Sequence, residues 1–367
     1  MRKLTNFEKK TNEWITVHLS RISFIQKIFF VDHLRVMIHA GLSLVDSLEI
    51  LHKETNNKGF QKIIGEIKKQ VSEGNQFSNV LSKYPKVFPP IYVKMISAGE
   101  MSGKLENALS QVTIQMQKTQ QLRSSIRGAM IYPAVVVSAM IGIGVLMTTV
   151  VLPKLITIFN EFDSELPLAT KILIAVTQFI SNPLNLILVI VILVFTITGF
   201  ISLLKKSPSF KRLIHKINLH VPIFGGVIKK INLARFSMTL SSLMKSAIPI
   251  IEAVNITADT CSNILYQNSL HKASEEIKSG VPLSEILRRD DNIFPPMVTE
   301  MIMVGEQTGE IDNLLTELAN FYSSEVDKTM KNFTTIIEPV LIIMLGIAVG
   351  GVAVAVIMPM YSLVQNF

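Results

Sequence analysis

Cysteine and tryptophan occur once each in this 367-residue chain, as Cys261 and Trp14, and histidine only seven times. A single thiol excludes an intramolecular disulfide framework and any metal site built on several cysteines. Pairs such as His33/His39 and His215/His220 have no carboxylates at ligand spacing, and no HExxH motif occurs, so neither a metal site nor a cofactor is expected. No stretch alternates convincingly between apolar and polar residues, so the fold is expected to be all-α. Charge is missing from three long windows: Pro133 to Leu152, Leu184 to Leu204, and Pro339 to Met358. Each is close to the roughly 20 residues that cross a bilayer core. Because these windows also lack histidine, an intramembrane hydrolase or a proton relay has none of its usual ionisable parts. A transporter would normally show more spans, with polar interruptions near mid-membrane. At the N-terminus, Lys27 divides the only apolar run, FIQKIFF, which is then too short for a signal-peptide core.

What the chain does contain, it contains twice. FPPIYVKMISAGEMSGKLENAL, from Phe88 to Leu109, returns 206 residues later as FPPMVTEMIMVGEQTGEIDNLL, from Phe294 to Leu315, with ten of the 22 aligned pairs identical and no gap. The same offset pairs Phe30 with Phe236, Leu34 with Leu240, Gly74 with Gly280, Ser78 with Ser284, Leu81 with Leu287, Pro133 with Pro339 and Pro153 with Pro359. A period this long is not that of a solenoid. The copied unit is instead a helical domain followed by a membrane span, and each copy is expected to have its own core.

The charges give the orientation. Formal net charge is +8, yet of the 36 lysines and arginines only Lys154 and Lys171 fall between the first two spans and none follows the third. Under the positive-inside rule the N-terminus and both helical domains are cytoplasmic and the C-terminus external. Cations gather at the span ends (Arg123, Arg127, Lys205, Lys206, Lys328, Lys331), where they meet lipid headgroups, and this favours membrane anchoring over direct nucleic-acid binding. The expected organisation is an N-terminal amphipathic segment over 1–28 (Trp14, Ile15, Leu19 and Ile22 at helical spacing), a helical domain over 29–128, and a span over 131–152. An external loop over 153–183, a second span over 184–204, the second helical domain over 205–335, a third span over 337–358 and an external tail over 359–367 follow. The second span has no counterpart in the repeat, but both domains can share one side of the membrane only if an extra crossing brings the chain back.

Within the domains, Ala40-Gly41 is expected to end a helix and Ser43 to cap the next. Pro89-Pro90 and Pro295-Pro296 break the chain before the signature helices, and Pro133 and Pro339 are expected in the first turns of the spans, with the alternative at the third span that the long polar helix continues through a kink at Pro339. Gly99-Glu100-Met101-Ser102-Gly103-Lys104 has one residue too few for a Walker A loop, lacks the Ser or Thr after the lysine, and is followed in the copy by Glu310 in place of Lys104. It is better read as a turn, in which Gly99 and Gly305 permit a left-handed helix end, Ser102 or Thr308 caps the following helix, and Gly103 and Gly309 are structural. Glu100 and Glu306 are open to two readings, as acceptors for backbone donors within their own bundle or as exposed acidic contacts for a partner.

The duplicated unit, the F-P-P turn, the GExSG-type signature in both halves, the post-span stretch LPKLITIFNEFDSELPLATKIL and the three-span order resemble the type II secretion system F family. These are inner-membrane platform proteins of type II secretion, type IV pili and competence pili. The short leader before the first repeat is similar to that of the competence-pilus branch. The resemblance implies a non-enzymatic scaffold in the bacterial cytoplasmic membrane that forms homo-oligomers, engages a cytoplasmic hexameric ATPase and passes pilin or pseudopilin subunits into a growing filament beside other membrane assembly components. A transporter or channel component with two regulatory domains is the alternative.

Overall fold

The computed structural model describes residues 22–151, 183–222 and 224–365, together with Pro153, Ala175, Thr177 and Phe179. The stretch around Trp14 and most of the expected external loop lie outside the described residues. Among those described there is no strand, and the protein is all-α.

Fourteen α-helices are described: α1 Phe24–His39, α2 Leu44–Glu54, α3 Lys58–Ser72, α4 Phe77–Ser82, α5 Pro90–Met101, α6 Leu105–Leu146, α7 Pro183–Lys206, α8 Pro208–His220, α9 Phe224–Lys245, α10 Ile250–Thr260, α11 Ile264–Ile277, α12 Leu283–Arg288, α13 Pro296–Thr308 and α14 Ile311–Gln365. The duplication is visible helix by helix. Adding 206 to the bounds of α2 and of α4 gives those of α10 and α12, and the ends of α1 and starts of α5 and α6 map likewise onto α9, α13 and α14.

Local chemistry sets these boundaries. A capping box opens α1, with Ser23 Oγ accepting from the Gln26 amide at 3.2 Å and Gln26 Oε1 from the Ser23 amide at 2.9 Å. Gly41, at φ 87°, turns the chain out of α1, and Ser43 then caps α2 through the Asp46 amide at 3.1 Å, as the sequence led us to expect. Pro90 and Pro296 start α5 and α13, where a missing N–H costs nothing. Of the other two prolines, Pro133 differs from expectation and Pro339 follows the second of its two readings. Pro133 lies inside α6 and Pro339 inside α14, and neither is in a first turn. Each removes one intrahelical hydrogen bond, but the bonds on either side carry the helix past it, and α6 continues to Leu146 before a π-helical turn over Met147–Val151.

One compact unit takes the described residues from 22 to 124 together with His215–Val326, and so contains the signature turns and the shorter helices of both copies. Each copy keeps an aromatic centre of its own. In the first, the Phe30 ring lies 5.5 Å from Phe60 and from Phe88. In the second the equivalent positions are Phe236, Tyr266 and Phe294, with Phe294 5.4 Å from Phe236 and 5.2 Å from Tyr266. All six rings are at most 3% exposed, and each contributes roughly 1.5–3 kcal/mol by burial. Tyr266 differs from Phe60 by a hydroxyl, which donates to the Ile293 carbonyl at 2.7 Å, so the extra polar atom is satisfied.

The second unit comprises Ser125–Ile214 and Asp327–Phe367. Two helices carry apolar windows long enough to cross a membrane, in Leu105–Val150 and in Ile311–Gly351, and their apolar side chains are mostly exposed, unlike those of a core helix. Over α7 a shorter apolar helix, Val194–Leu204, is seen among the described residues.

Candidate functional site

The signature turns join α5 to α6 and α13 to α14. Upstream in each copy is a six-residue helix, α4 or α12, whose N-cap residue, Gln76 or Pro282, makes no capping hydrogen bond. The first amide groups of these helices are therefore orphaned locally. The signature glutamate supplies what is missing. Glu100 accepts from the Phe77 amide at 2.6 Å and the Ser78 amide at 2.9 Å, one to each carboxylate oxygen. Glu306 accepts in the same way from Leu283 at 2.6 Å and Ser284 at 3.3 Å, and also from the Ser284 hydroxyl. Both carboxylates are half-buried, and each is bound to backbone donors of its own copy. A negative charge at a helix N-terminus is favoured by the helix dipole as well as by the hydrogen bonds. Ser78 Oγ, unlike Ser284 Oγ, has no partner among the described residues.

The two glycines of each signature have separate tasks, and the first is not the one expected. Gly99 and Gly305 lie inside α5 and α13, not at left-handed ends. A Cβ on Gly99 would meet Ala108 Cβ at 2.2 Å, and one on Gly305 would meet Ile311 Cα at 2.8 Å, so these glycines let the two signature helices approach each other. The left-handed residues are Gly103 at φ 69° and Gly309 at φ 77°, where an added Cβ would meet open space. Ser102 and Thr308 do not cap the following helices either. Ser102 Oγ donates back to the Ala98 carbonyl at 2.9 Å and Thr308 Oγ1 to Val304 at 2.9 Å, closing the preceding helices.

In the unit that holds both copies, the first signature turn faces the α9–α10 turn of the second copy across an open groove of about 810 Å³. Its lining includes Lys94, Met101, Lys104, Lys245, Ala247 and Glu252. Lys94 and Glu252 pair at 2.7 Å across it. Deeper in the contact, Gln115 is 2% exposed, donates Nε2 to Thr239 Oγ1 at 3.4 Å and accepts at Oε1 from Ser242 Oγ at 2.7 Å. Nothing in the residue pattern announced this pairing, because Gln115 is replaced by Phe321 in the copy. Burial and the neighbouring Lys245 lower the pKa of Lys118, and burial and Arg123 lower that of Arg235, so cations are concentrated on this side of the contact.

Among the described residues no group of three His, Cys, Asp or Glu side chains could hold a metal ion. Burial pushes the Cys261 thiol up to about 12, far from a reactive thiolate, although Arg235 acts in the opposite direction.

The family described as type II secretion system (T2SS), protein F, matches the chain twice, over residues 30–153 and 236–359, two segments again 206 apart. Type IV pilus assembly protein PilC of Thermus thermophilus is 36% identical over 336 residues, covering 91% of this chain and 82% of that protein. Type IV pilus assembly protein PilC of Pseudomonas aeruginosa is 34% identical, covering 91% and 88%. Type II secretion system protein F of Aeromonas hydrophila is 28% identical, covering 90% and 84%.

Proposed function

Because the chain belongs to the type II secretion system protein F family, we propose that it is an inner-membrane platform protein on which a type IV pilus-like or type II secretion filament is assembled. The observation that carries this reading is the double family match, in which each matched segment contains a complete signature turn and an apolar window. Similarity to proteins named for pilus assembly and for secretion over some nine-tenths of the chain supports it.

In this reading the chain crosses the membrane three times, with α7 as the unduplicated crossing that returns the second copy to the cytoplasm, the N-terminus inside and the C-terminus outside. The near-absence of Lys and Arg from the two segments assigned to the outside supports this topology. The chain acts as a scaffold and not as an enzyme. A cytoplasmic hexameric ATPase works on the helical unit, and pilin or pseudopilin subunits leave the bilayer beside the spans. The helices that start at the signature turns also contain the apolar windows, so a displacement of the turns is carried into the membrane by α6 and α14. Glu100 and Glu306 enter as the proposed acidic contacts at those turns.

Deletion of the gene, with a complemented strain beside it, tests the proposal by counting sheared surface filaments by pilin immunoblot and electron microscopy. Filaments should disappear while prepilin is still made and processed. Normal filament numbers in a strain with no second copy of the gene would overturn the reading.

A further inference from the structure

We propose that copies of this chain join head to tail by repeating between molecules the contact that its two halves make within one molecule: the outer face of α1 receives Phe321 on α14 of a second copy. The inference deepens the homo-oligomer part of the platform reading and rests on that reading only for placing the copies in one membrane.

Within the chain, α9 is covered on two sides. Its core face carries Phe236, Leu240 and Leu243, while Thr239 and Ser242 are covered by Gln115 of α6. Over the stretch that duplicates α1, eleven residues of α9 are buried, against four of α1. Shifting the contact by 206 gives its counterpart. Gln115 becomes Phe321, Thr239 becomes His33 and Ser242 becomes Val36. All three are open, with Phe321 47% and Val36 48% exposed. Two similar units joined by one heterologous contact leave one giving and one receiving face unused, and a second molecule can fill both.

The open faces are also more apolar than the closed ones. Phe321 stands where α6 has Gln115, Val36 where α9 has Ser242, and Phe29 where α9 has Arg235. Ile25, Phe29 and Val36 are 49%, 56% and 48% exposed and, with His33, fall within one face of α1, opposite in role to Phe30, Val31 and Leu34 in the core. A water-facing surface would be expected to drift towards polar residues, and this one has gone the other way. Beside the stripe a groove of about 320 Å³ is lined by Phe29, Phe30, Leu51 and Phe60 and by polar residues that include His33 and Glu54. In the second copy the equivalent of His33 is Thr239, which takes Gln115, so this groove borders on the counterpart of a seat already occupied once in the chain.

One corner is not repeated. The Lys94–Glu252 pair maps onto Glu300 and Asp46, two carboxylates, of which Glu300 is held by Arg288 at 2.8 Å and Asp46 by the Ser43 hydroxyl. Attraction between copies therefore comes from the apolar stripe, and Glu300→Lys should strengthen it by facing Asp46 with a cation.

The test uses two full-length copies with different tags, co-expressed in membranes, one carrying His33→Cys and the other Phe321→Cys. The native Cys261 is 3% exposed and does not compete. Mild oxidation should give a band at twice the chain mass that holds both tags, lost when Val36→Glu is added and increased by Glu300→Lys. The proposal is overturned if no mixed band forms although both new thiols react with maleimide, if His33→Cys alone forms the dimer, or if one chain carrying both cysteines closes on itself without dimerising. The deletion strain separates the two readings: filaments lost on deletion but no mixed band sink this interface alone, and a mixed band together with normal filament numbers on deletion leaves the interface standing and sinks the platform.

Discussion

Glu100 binds the amide of Phe77, 23 residues back along the chain, at 2.6 Å, and so ties the signature helix to the start of a helix too short to cap itself. Glu306 repeats the bond with Leu283. Removing the carboxylate by Glu100→Ala should cost about 1–2 kcal/mol, as loss of a helix cap does, and lower the thermal midpoint of the detergent-solubilised chain. Glu100→Gln keeps one acceptor and should cost less. The double variant Glu100→Gln/Glu306→Gln, at matched protein level, asks the functional question. If filaments assemble at the normal rate, the carboxylates brace the turns and are not the surface through which a partner acts.

The two signature glycines should respond differently to alanine. At position 99 the new methyl group would lie 2.2 Å from Ala108 Cβ, which forces α5 and α6 apart, and overpacking of this kind costs roughly 1–3 kcal/mol. Ala108→Gly should rescue it. At position 103 there is room but the backbone is left-handed, so Gly103→Ala should cost about 1–2 kcal/mol, with no rescue from position 108. A thermal melt of the four variants decides it, and equal rescue of both would show that the roles are wrongly divided.

Those roles mark the limit of what the sequence made legible. The repeat offset paired Phe30 with Phe236 and one signature turn with the other, because identical residues at a fixed spacing serve identical places. It could not say which glycine of GEMSG was turned and which was squeezed, since both needs select the same residue. Pro133 was misplaced, and Pro339 was left between two readings, for a related reason: a proline tolerated inside a long helix looks the same in sequence as one that starts it. The Gln115 contact was invisible because it is where the copies differ, and a repeat reveals only what they share. The glutamates' hydrogen bonds to Phe77 and Leu283 were open as a possibility, but their partners lie more than 20 residues away, beyond any local capping rule.

Ala247 holds φ 58° at the position where the first copy has Gly41 at φ 87°. A left-handed alanine costs roughly 1–2 kcal/mol in local strain, part of which is offset by the greater freedom of a glycine when unfolded. Ala247→Gly should therefore raise the melting temperature slightly, and a lower one would mean that the Ala247 methyl group is held by favourable contacts in the groove. Gly41→Ala should lower it.

Acid should act on the first copy through Glu49, whose carboxyl is held down at about 2 by hydrogen bonds first from Lys68, at 2.5 Å, and then from Lys53. A folded pKa below the unfolded value means that the pair's stabilisation is present above pH about 4.5 and is lost as pH falls towards 2. Because the group is solvent-exposed, screening makes the effect small and salt-sensitive. Melting temperature measured against pH should fall more steeply between 4.5 and 2 for the native chain than for Glu49→Gln, and the difference should shrink in high salt. Parallel curves at low salt would show that the pairing with Lys68 contributes nothing to folding. Lys68→Met offers the complementary case: it removes the stronger donor, so the acid-dependent part should shrink although Glu49 is still there to titrate.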